Sequence, residues 1–280
     1  MLLSIVVVNW NTTALLRELL DSLRRFPISC AKSEIIVIDN ASSDLDESAL
    51  RAAYPEITLI ANEENVGYAC ATNQGIDRAS GDYVLLLNPD TQVTEGALDT
   101  LVRFAQMHPD VAAVSCKLVR PDGSVELSVR GFPYPFAIAC EYIGLSKLLP
   151  YCSALSAYRR RTFDYDKSAE VDQPMASCLL IGMYALERVG TFDESFPIFF
   201  NDVDWLYRAK KLGYRVYYLA EATVIHHGGA ATRQVDRRKM LRESHDSLLR
   251  FYDKHFKGNL SPLVYYFTIS CIKLSRILRG

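Results

Sequence analysis

The side chains best suited to chemistry in this 280-residue chain fall into a few short polar clusters. Asn9-Trp10-Asn11 is the first, Asp39-Asn40-Ala41-Ser42-Ser43-Asp44 the second, Asn62, Asn65 and Gly67 the third, and Asn88-Pro89-Asp90 the fourth. Two later groups are Phe199-Phe200-Asn201-Asp202-Val203-Asp204-Trp205 and Val224-Ile225-His226-His227-Gly228-Gly229. Asp39 can accept the imide N–H of uracil or thymine in a charge-assisted bond that cytosine cannot supply without a proton. Gly67, lacking Cβ, lets backbone approach a ligand closely, and Asn73 is placed to bond a ribose or a diphosphate. Asp90 supplies the hard oxygen that Mg2+ or Mn2+ takes when bridging a carboxylate to substrate phosphates. Asp202 stands at or next to a helix N-terminus, so it is either an N-cap or a proton acceptor kept ionised by the helix dipole. The apolar approach through Phe196, Ile198, Phe199 and Phe200 limits water there. Two histidines followed by a glycine pair point to metal or phosphate contact, with His226 and His227 both open as the ligand. One His and one Asp do not make a zinc site, so the expectation is a labile ion completed by substrate.

Every one of these residue types is also an ordinary turn or cap residue. What raises them above that reading is where they fall. The first half of the chain alternates short apolar strands with helices: strands at Ile5–Asn9, Ile35–Asp39, Ile57–Ala61, Tyr83–Asn88 and Val111–Cys116, helices over Ala14–Leu23, Asp46–Tyr54, Ala69–Ala79 and Glu95–Met107. Such alternation implies a parallel sheet covered by helices on both faces. Right-handed crossovers then bring the strand ends, and with them all four clusters, to one rim, where ligands bind in such sheets. No GxGxxG follows the first strand and no GxxxxGK[ST] occurs, so neither a dinucleotide fold nor a P-loop is indicated.

The alternation breaks after residue 116. Pro121-Asp122-Gly123 predicts a turn between two short antiparallel strands, and residues 131–172, rich in proline and aromatics, read as irregular. Structure resumes at Ser177–Tyr184, with a helix over Val203–Leu212, strands at Arg215–Leu219 and Ala222–His226, and a final helical region from about Val235. There is no repeat and no low-complexity linker. The organisation expected is one α/β domain over residues 1–235, divided into a nucleotide-binding half (1–116) and an acceptor and catalytic half (117–235), followed by a C-terminal helical region (236–280).

Composition bounds the classes. Hydrophobic residues make up 49% and charged residues 23%, with a net charge of −2, so no nucleic-acid partner is indicated. Seven scattered cysteines with no CxxC pair read as reduced thiols of a cytoplasmic protein. The apolar start is a buried strand rather than a leader. The longest later apolar stretch, Leu260 to Leu274, contains Pro262 and Lys273 and is no membrane span. From Arg237 to Arg279 basic residues mix with Leu248, Leu249, Phe251, Tyr252 and Phe256. That suits peripheral contact with the inner face of a cell membrane, and equally a core-packed helix or a homodimer contact.

Taken in order, the motifs resemble those of the inverting family-2 glycosyltransferases of the GT-A fold, most closely their bacterial rhamnosyltransferase-like branch. The segments that carry the resemblance are Ser4–Asn11, Val37–Asp44, Asn65–Gly75, Leu87–Asp90, Gly190–Phe196, Asn201–Trp205 and Val224–Gly229. The resemblance implies a Rossmann-like, mostly parallel sheet with helices on both faces and a small antiparallel C-terminal portion. It implies that Asp39 reads the pyrimidine, that Asn88-Pro89-Asp90 stands in place of DxD with Asp90 and His226 holding Mg2+ or Mn2+, and that Asp202 is the catalytic base; Asn9, Gly67, Asn73 and Asn88 are expected to bind the nucleotide sugar with Asp39. It further implies transfer of one sugar, with dTDP-L-rhamnose as donor, to a saccharide or lipid-linked saccharide in cell-envelope polysaccharide synthesis. Another UDP- or dTDP-sugar is the second choice of donor; a nucleotide-sugar-binding protein without activity and a nucleotide-sugar hydrolase are the rivals of other classes. Three positions depart from the family pattern: Asn88 replaces the first acid of DxD, Asn201 the acid before the base, and Ala231-Thr232 a common serine.

Overall fold

A computed structural model describes residues 1–279; Gly280, the last residue of the expected C-terminal region, lies outside the described residues. The strands are β1 (Leu2–Asn9), β2 (Lys32–Asp39), β3 (Ile57–Ala61), β4 (Tyr83–Leu87), β5 (Thr91–Val93), β6 (Val111–Val119), β7 (Val129–Arg130), β8 (Ala169–Glu170), β9 (Gln173–Pro174), β10 (Cys178–Gly182) and β11 (Arg215–His226). The helices are α1 (Thr13–Arg25), α2 (Glu47–Ala53), α3 (Tyr68–Arg78), α4 (Ala97–Met107), α5 (Pro135–Tyr142), α6 (Leu145–Leu148), α7 (Met183–Val189), α8 (Asn201–Lys211), α9 (Arg237–His255) and α10 (Pro262–Arg279).

The central sheet runs β3-β2-β1-β4-β10-β6-β11-β5, with β8 added beside β11. The β1–β2, β1–β4, β2–β3 and β6–β11 ladders are parallel, while β10 runs antiparallel between β4 and β6. A separate antiparallel pair joins β7 to β9. This is the mixed, mostly parallel α/β sheet expected from the strand–helix alternation.

Side-chain alternation along β1 divides the core. Leu3, Ile5 and Val7 pack with α1, α2 and α4 on one face, and Val6 and Val8 pack with α3 and the later helices on the other. Strands buried on both sides must be apolar throughout, and β1 shows only Ser4 and Asn9 as polar interruptions. Helix α3 lies so close to the sheet that a Cβ on Gly75 would stand 2.3 Å from Val6.

Several expectations are corrected. Residues 131–172 are not irregular throughout but contain α5, α6 and β8; Pro135 starts α5 and Ala137, Ile138 and Cys140 bury its inner side. The two strands expected at 215–219 and 222–226 are one strand, β11, with a register shift against β6 between Leu219 and Thr223. Strand β5, at three residues, is too short to register as a period. The turn at Pro121-Asp122-Gly123 exists, closed by the Gly123 N–H donating to Arg120 O, but only a single antiparallel bridge, Val119 to Val125, follows it. In the C-terminal region Leu248, Phe251, Tyr252 and Phe256 are buried in the core, so they offer no surface to a membrane.

Helices α8 and α9 are joined by a buried charge cluster. Asp204, fully buried, accepts from Arg208 Nε at 2.8 Å and meets Lys254 Nζ and His255 Nε2, each at 2.7 Å. Burial alone would raise the pKa of this carboxyl, but His255, Lys254 and Arg208 hold it below the ordinary range. Removing one member of a buried ionic cluster leaves the others unpaired at a cost of several kcal/mol. Asp204→Ala is therefore expected to destabilise the fold by about 3 kcal/mol or more, read as a lower urea midpoint at unchanged slope.

Candidate active site

Helix α8 and the ends of β4 and β11 open into one cleft of about 1110 Å3, lined among others by Asn88, Asp90, Asp202, His226 and Gly67. Their convergence has a topological cause. Leu87, the end of β4, lies opposite Cys178, the start of β10, so the antiparallel strand brings Ser177 to the rim. Asn88 then donates from Nδ2 to Ser177 Oγ at 3.0 Å. Strand β11, paired along one edge to β6 as far as Ile225, pairs its last residues along the other edge with β5, setting His226 opposite Thr91 and thus beside Asp90.

The Asp90 carboxylate accepts from the Ala230 N–H at 3.2 Å through Oδ2, while Oδ1 stands 3.3 Å from His226 Nε2. On the imidazole's other side, Nδ1 is 2.6 Å from Glu126 Oε2. Burial disfavours a charged imidazole, but the two carboxylates outweigh it and raise His226 to about 9. Burial likewise opposes the Asp90 charge, and His226 together with the Ala230 N–H lowers its pKa nonetheless. The Nε2–Oδ1 approach is an ion-pair distance without hydrogen-bond geometry, for His226 Nε2 is buried and has no hydrogen-bond partner. An orphaned ring nitrogen facing a carboxylate oxygen suits a divalent cation, which would displace the Nε2 proton and leave Nδ1–H on Glu126. Among the described residues no three His, Cys, Asp or Glu side chains are grouped to hold a metal alone, so further ligands would come from a bound diphosphate. His227 points elsewhere, its Nε2 lying 3.4 Å from Gln92 Nε2.

Asp202, which lines the same cleft, is the second residue of α8. It is not the N-cap; Phe200 holds that place in a left-handed conformation with φ 69°. Such a φ on a bulky residue costs on the order of 1–3 kcal/mol and collects at functional sites. Asp202 is half-buried, accepts from the Val203 N–H at 2.8 Å, and has its pKa raised by burial, with the Val203 N–H and Arg130 opposing. Tyr68 stands near both acids: burial first, then the charges of Asp202 and Asp90, push its hydroxyl above the ordinary phenol range.

The remaining expected residues divide. Asn9 and Asp39 are buried and lie outside the cleft lining, though Val8, Trp10 and Asn40 beside them line it. Asp39 Oδ1 accepts from Asn9 Nδ2 at 2.8 Å and Oδ2 from the Ser42 N–H at 2.9 Å, which fixes the carboxylate. Asn73 does not face a ribose or diphosphate: its amide accepts from the Phe192 N–H and donates to Phe192 O and Glu194, clamping α3 to the loop before α8. Gly67 lines the cleft, but its missing Cβ makes room for Pro197, which would lie 3.1 Å away; the Pro197 carbonyl accepts from the Tyr68 N–H at 2.6 Å. Asp204 belongs to the buried cluster and does not line the cleft. Sequence reasoning missed Glu126, Tyr68, Arg130 and Ser177. Only Glu126 carried a signal, three residues past a strong turn.

The sequence matches the model for "Glycosyl transferase family 2" over residues 4–165. It is 30% identical over 241 residues to an N-acetylglucosaminyl-diphospho-decaprenol L-rhamnosyltransferase of Mycobacterium tuberculosis, covering 82% of this chain and 78% of that protein. An O-antigen biosynthesis protein of Myxococcus xanthus is 28% identical over 82% of this chain but only 18% of its own length. The fold is similar to that of a mannosyltransferase of Pyrobaculum calidifontis solved with GDP-Man and Mn2+, with TM-score 0.62 and 17% identity over 99% of this chain and 75% of that one.

A carboxylate on the far ring nitrogen typically adds tenfold to a hundredfold to metal affinity. In calorimetric titrations of Mn2+ with a nucleoside diphosphate, Glu126→Gln is expected to weaken metal binding by about tenfold, and Asp90→Ala by more. Unchanged affinity in both variants would remove the ion from this corner of the cleft.

Proposed function

The chain belongs to glycosyl transferase family 2, and on that premise we propose that it moves one sugar from a nucleoside diphosphate donor to an acceptor hydroxyl with inversion. The observation that supports this most is that Asp90 and Asp202 line one cleft, which we read as a cation-holding acid and a proton-accepting acid. L-Rhamnose from dTDP-L-rhamnose is the favoured donor, on the similarity to the mycobacterial L-rhamnosyltransferase. The same similarity favours a lipid-linked saccharide as acceptor and a place in cell-envelope polysaccharide synthesis. Another UDP- or dTDP-sugar is the alternative donor.

In this reading residues 1–116 carry the nucleotide, residues 117–235 complete the catalytic side, and residues 236–280 form a helical addition. The pyrimidine imide is assigned to Asp39, which lies just behind the cleft-lining Asn40 with its carboxylate oriented by Asn9 and the Ser42 N–H, so base binding would have to uncover it. Asn88, fixed by Ser177, and the loop at Gly67 border the sugar diphosphate. A divalent cation, Mg2+ or Mn2+, held by Asp90 and His226 would supply positive charge to the departing diphosphate. Asp202 takes the proton from the acceptor hydroxyl as that oxygen forms its bond to the anomeric carbon; the carbon–oxygen bond to the diphosphate breaks on the opposite face, and the diphosphate leaves with the electron pair. Tyr158, Gln173 and Met175 also line the cleft, and we assign them to the acceptor.

Asp202→Asn is expected to abolish sugar transfer while leaving the stabilisation by donor in a thermal-shift assay intact. Near-normal transfer by that variant would refute the base. A base must be ionised, and burial raises the Asp202 pKa, so kcat/KM should fall on the acid side at a pH above the ordinary aspartate range. An acid limb near pH 4 would show that Asp202 does not govern it.

A further inference from the structure

The outward side of α10 is more apolar than the side packed on the protein. Leu263, Tyr266, Phe267, Leu274 and Ile277 are 57–84% exposed, whereas Thr268 and Ser275 are buried with Ile272. Their spacing of three, four, eleven and fourteen residues from Leu263 puts the exposed five on one helical stripe. A surface helix ordinarily has the opposite arrangement. Helix α10 packs on α5 and α9, and α5 and α6 add Phe136, Ile143, Leu148 and Tyr151 to the exposed apolar set.

Charge tells what this face meets. Residues 261–279 contain no acid, and Lys273 is exposed on α10. The last turns of α10 run beside the first half of α9, where Arg276 pairs with Asp246 at 2.9 Å and Ser275 Oγ lies 3.3 Å from His245 Nε2. There Arg237, Arg238, Lys239 and Arg242 are all exposed, and no acid among the described residues pairs with them. Asp236 is spent on capping the helix, and Glu243 on Arg250. Four cations at a helix N-terminus oppose its dipole, so an external anionic surface is what they complement. A second copy docked on the same face by two-fold symmetry would bring these cations against one another. Lys239, Met240 and Ser244 of the same helix end line the cleft.

We propose that the outer face of α10 and the basic first turns of α9 dock flat on a bilayer carrying anionic phospholipid headgroups, with the mouth of the cleft beside the lipid surface. The apolar stripe enters the headgroup boundary and the arginines meet the phosphates. Among the described residues no helix is long and apolar enough to cross a membrane, so the contact is interfacial.

Co-sedimentation of the full chain with phosphatidylcholine vesicles, with and without phosphatidylglycerol, tests this in the absence of any sugar nucleotide, so its outcome is independent of sugar transfer. Binding is expected only with phosphatidylglycerol and should be reversed by salt. The triple variant Arg237→Ala/Arg238→Ala/Arg242→Ala should bind on the order of a hundredfold more weakly, and Phe267→Ser/Leu274→Ser/Ile277→Ser should lose binding to a similar degree. Both alter exposed side chains, and an unchanged melting temperature verifies their fold. No binding by the folded chain, equal binding to both vesicle types, or a dimer in light scattering that the apolar variant dissolves would each overturn the proposal.

Discussion

The close approach of Asp90, His226 and Glu126 is the interaction on which the rest of the site depends. Two carboxylates flank one imidazole in a nearly waterless corner, an arrangement that burial opposes for each charge separately. It persists because the opposite signs are adjacent, with the imidazole drawn up to about 9 by its neighbours. The three residues come from the end of β4, the stretch after the Gly123 turn and the last position of β11. To bring them together, β11 shifts register against its parallel partner β6 between Leu219 and Thr223 and, while still paired to β6 through Ile225, takes the short β5 on its other edge. The irregular features of this edge of the sheet are thus the geometry of a charge cluster, and His226 Nε2 is left without a partner as its consequence.

Helix α8 serves two purposes on two faces. Asp202 opens into the cleft while Asp204, two residues on, is locked to Arg208, Lys254 and His255. Adjacent acids of one motif therefore have opposite roles. Burial raises the pKa of one, whereas His255, Lys254 and Arg208 lower that of the other, which fastens α8 to α9. The left-handed Phe200 immediately before the helix sets where that helix begins, and hence which acid faces which way.

Much of this was legible because buried parallel strands leave little freedom. Runs such as Leu85-Leu86-Leu87 can only be core, so the polar residues that follow must stand at the rim, and Asp90, Asp202 and His226 do share one cleft. What escaped was whatever depends on tertiary contact rather than on pattern. Asn73 has the same type in a ligand-binding role as in a clamp, and only the position of Phe192 and Glu194 decides between them. The same holds for Gly67, whose missing side chain makes way for Pro197. Helices α5 and α6 were hidden among prolines and aromatics, because their stability comes from packing rather than from a clean amphipathic period. In the C-terminal region the sequence left membrane contact, a core-packed helix and a dimer contact equally open for Leu248, Phe251, Tyr252 and Phe256; they pack in the core, and the exposed apolar residues include Phe267 and Ile277 of α10.

The clamp at Asn73 and the Pro197 carbonyl bond to Tyr68 together rivet the front of α3 to the loop that precedes α8. Two fastenings roughly one and a half helical turns apart prevent rotation as well as separation, so these two walls of the cleft travel as one body. The spacing of the cleft walls at this boundary is therefore written into contacts that lie outside the cleft lining, at Asn73, Phe192 and Glu194.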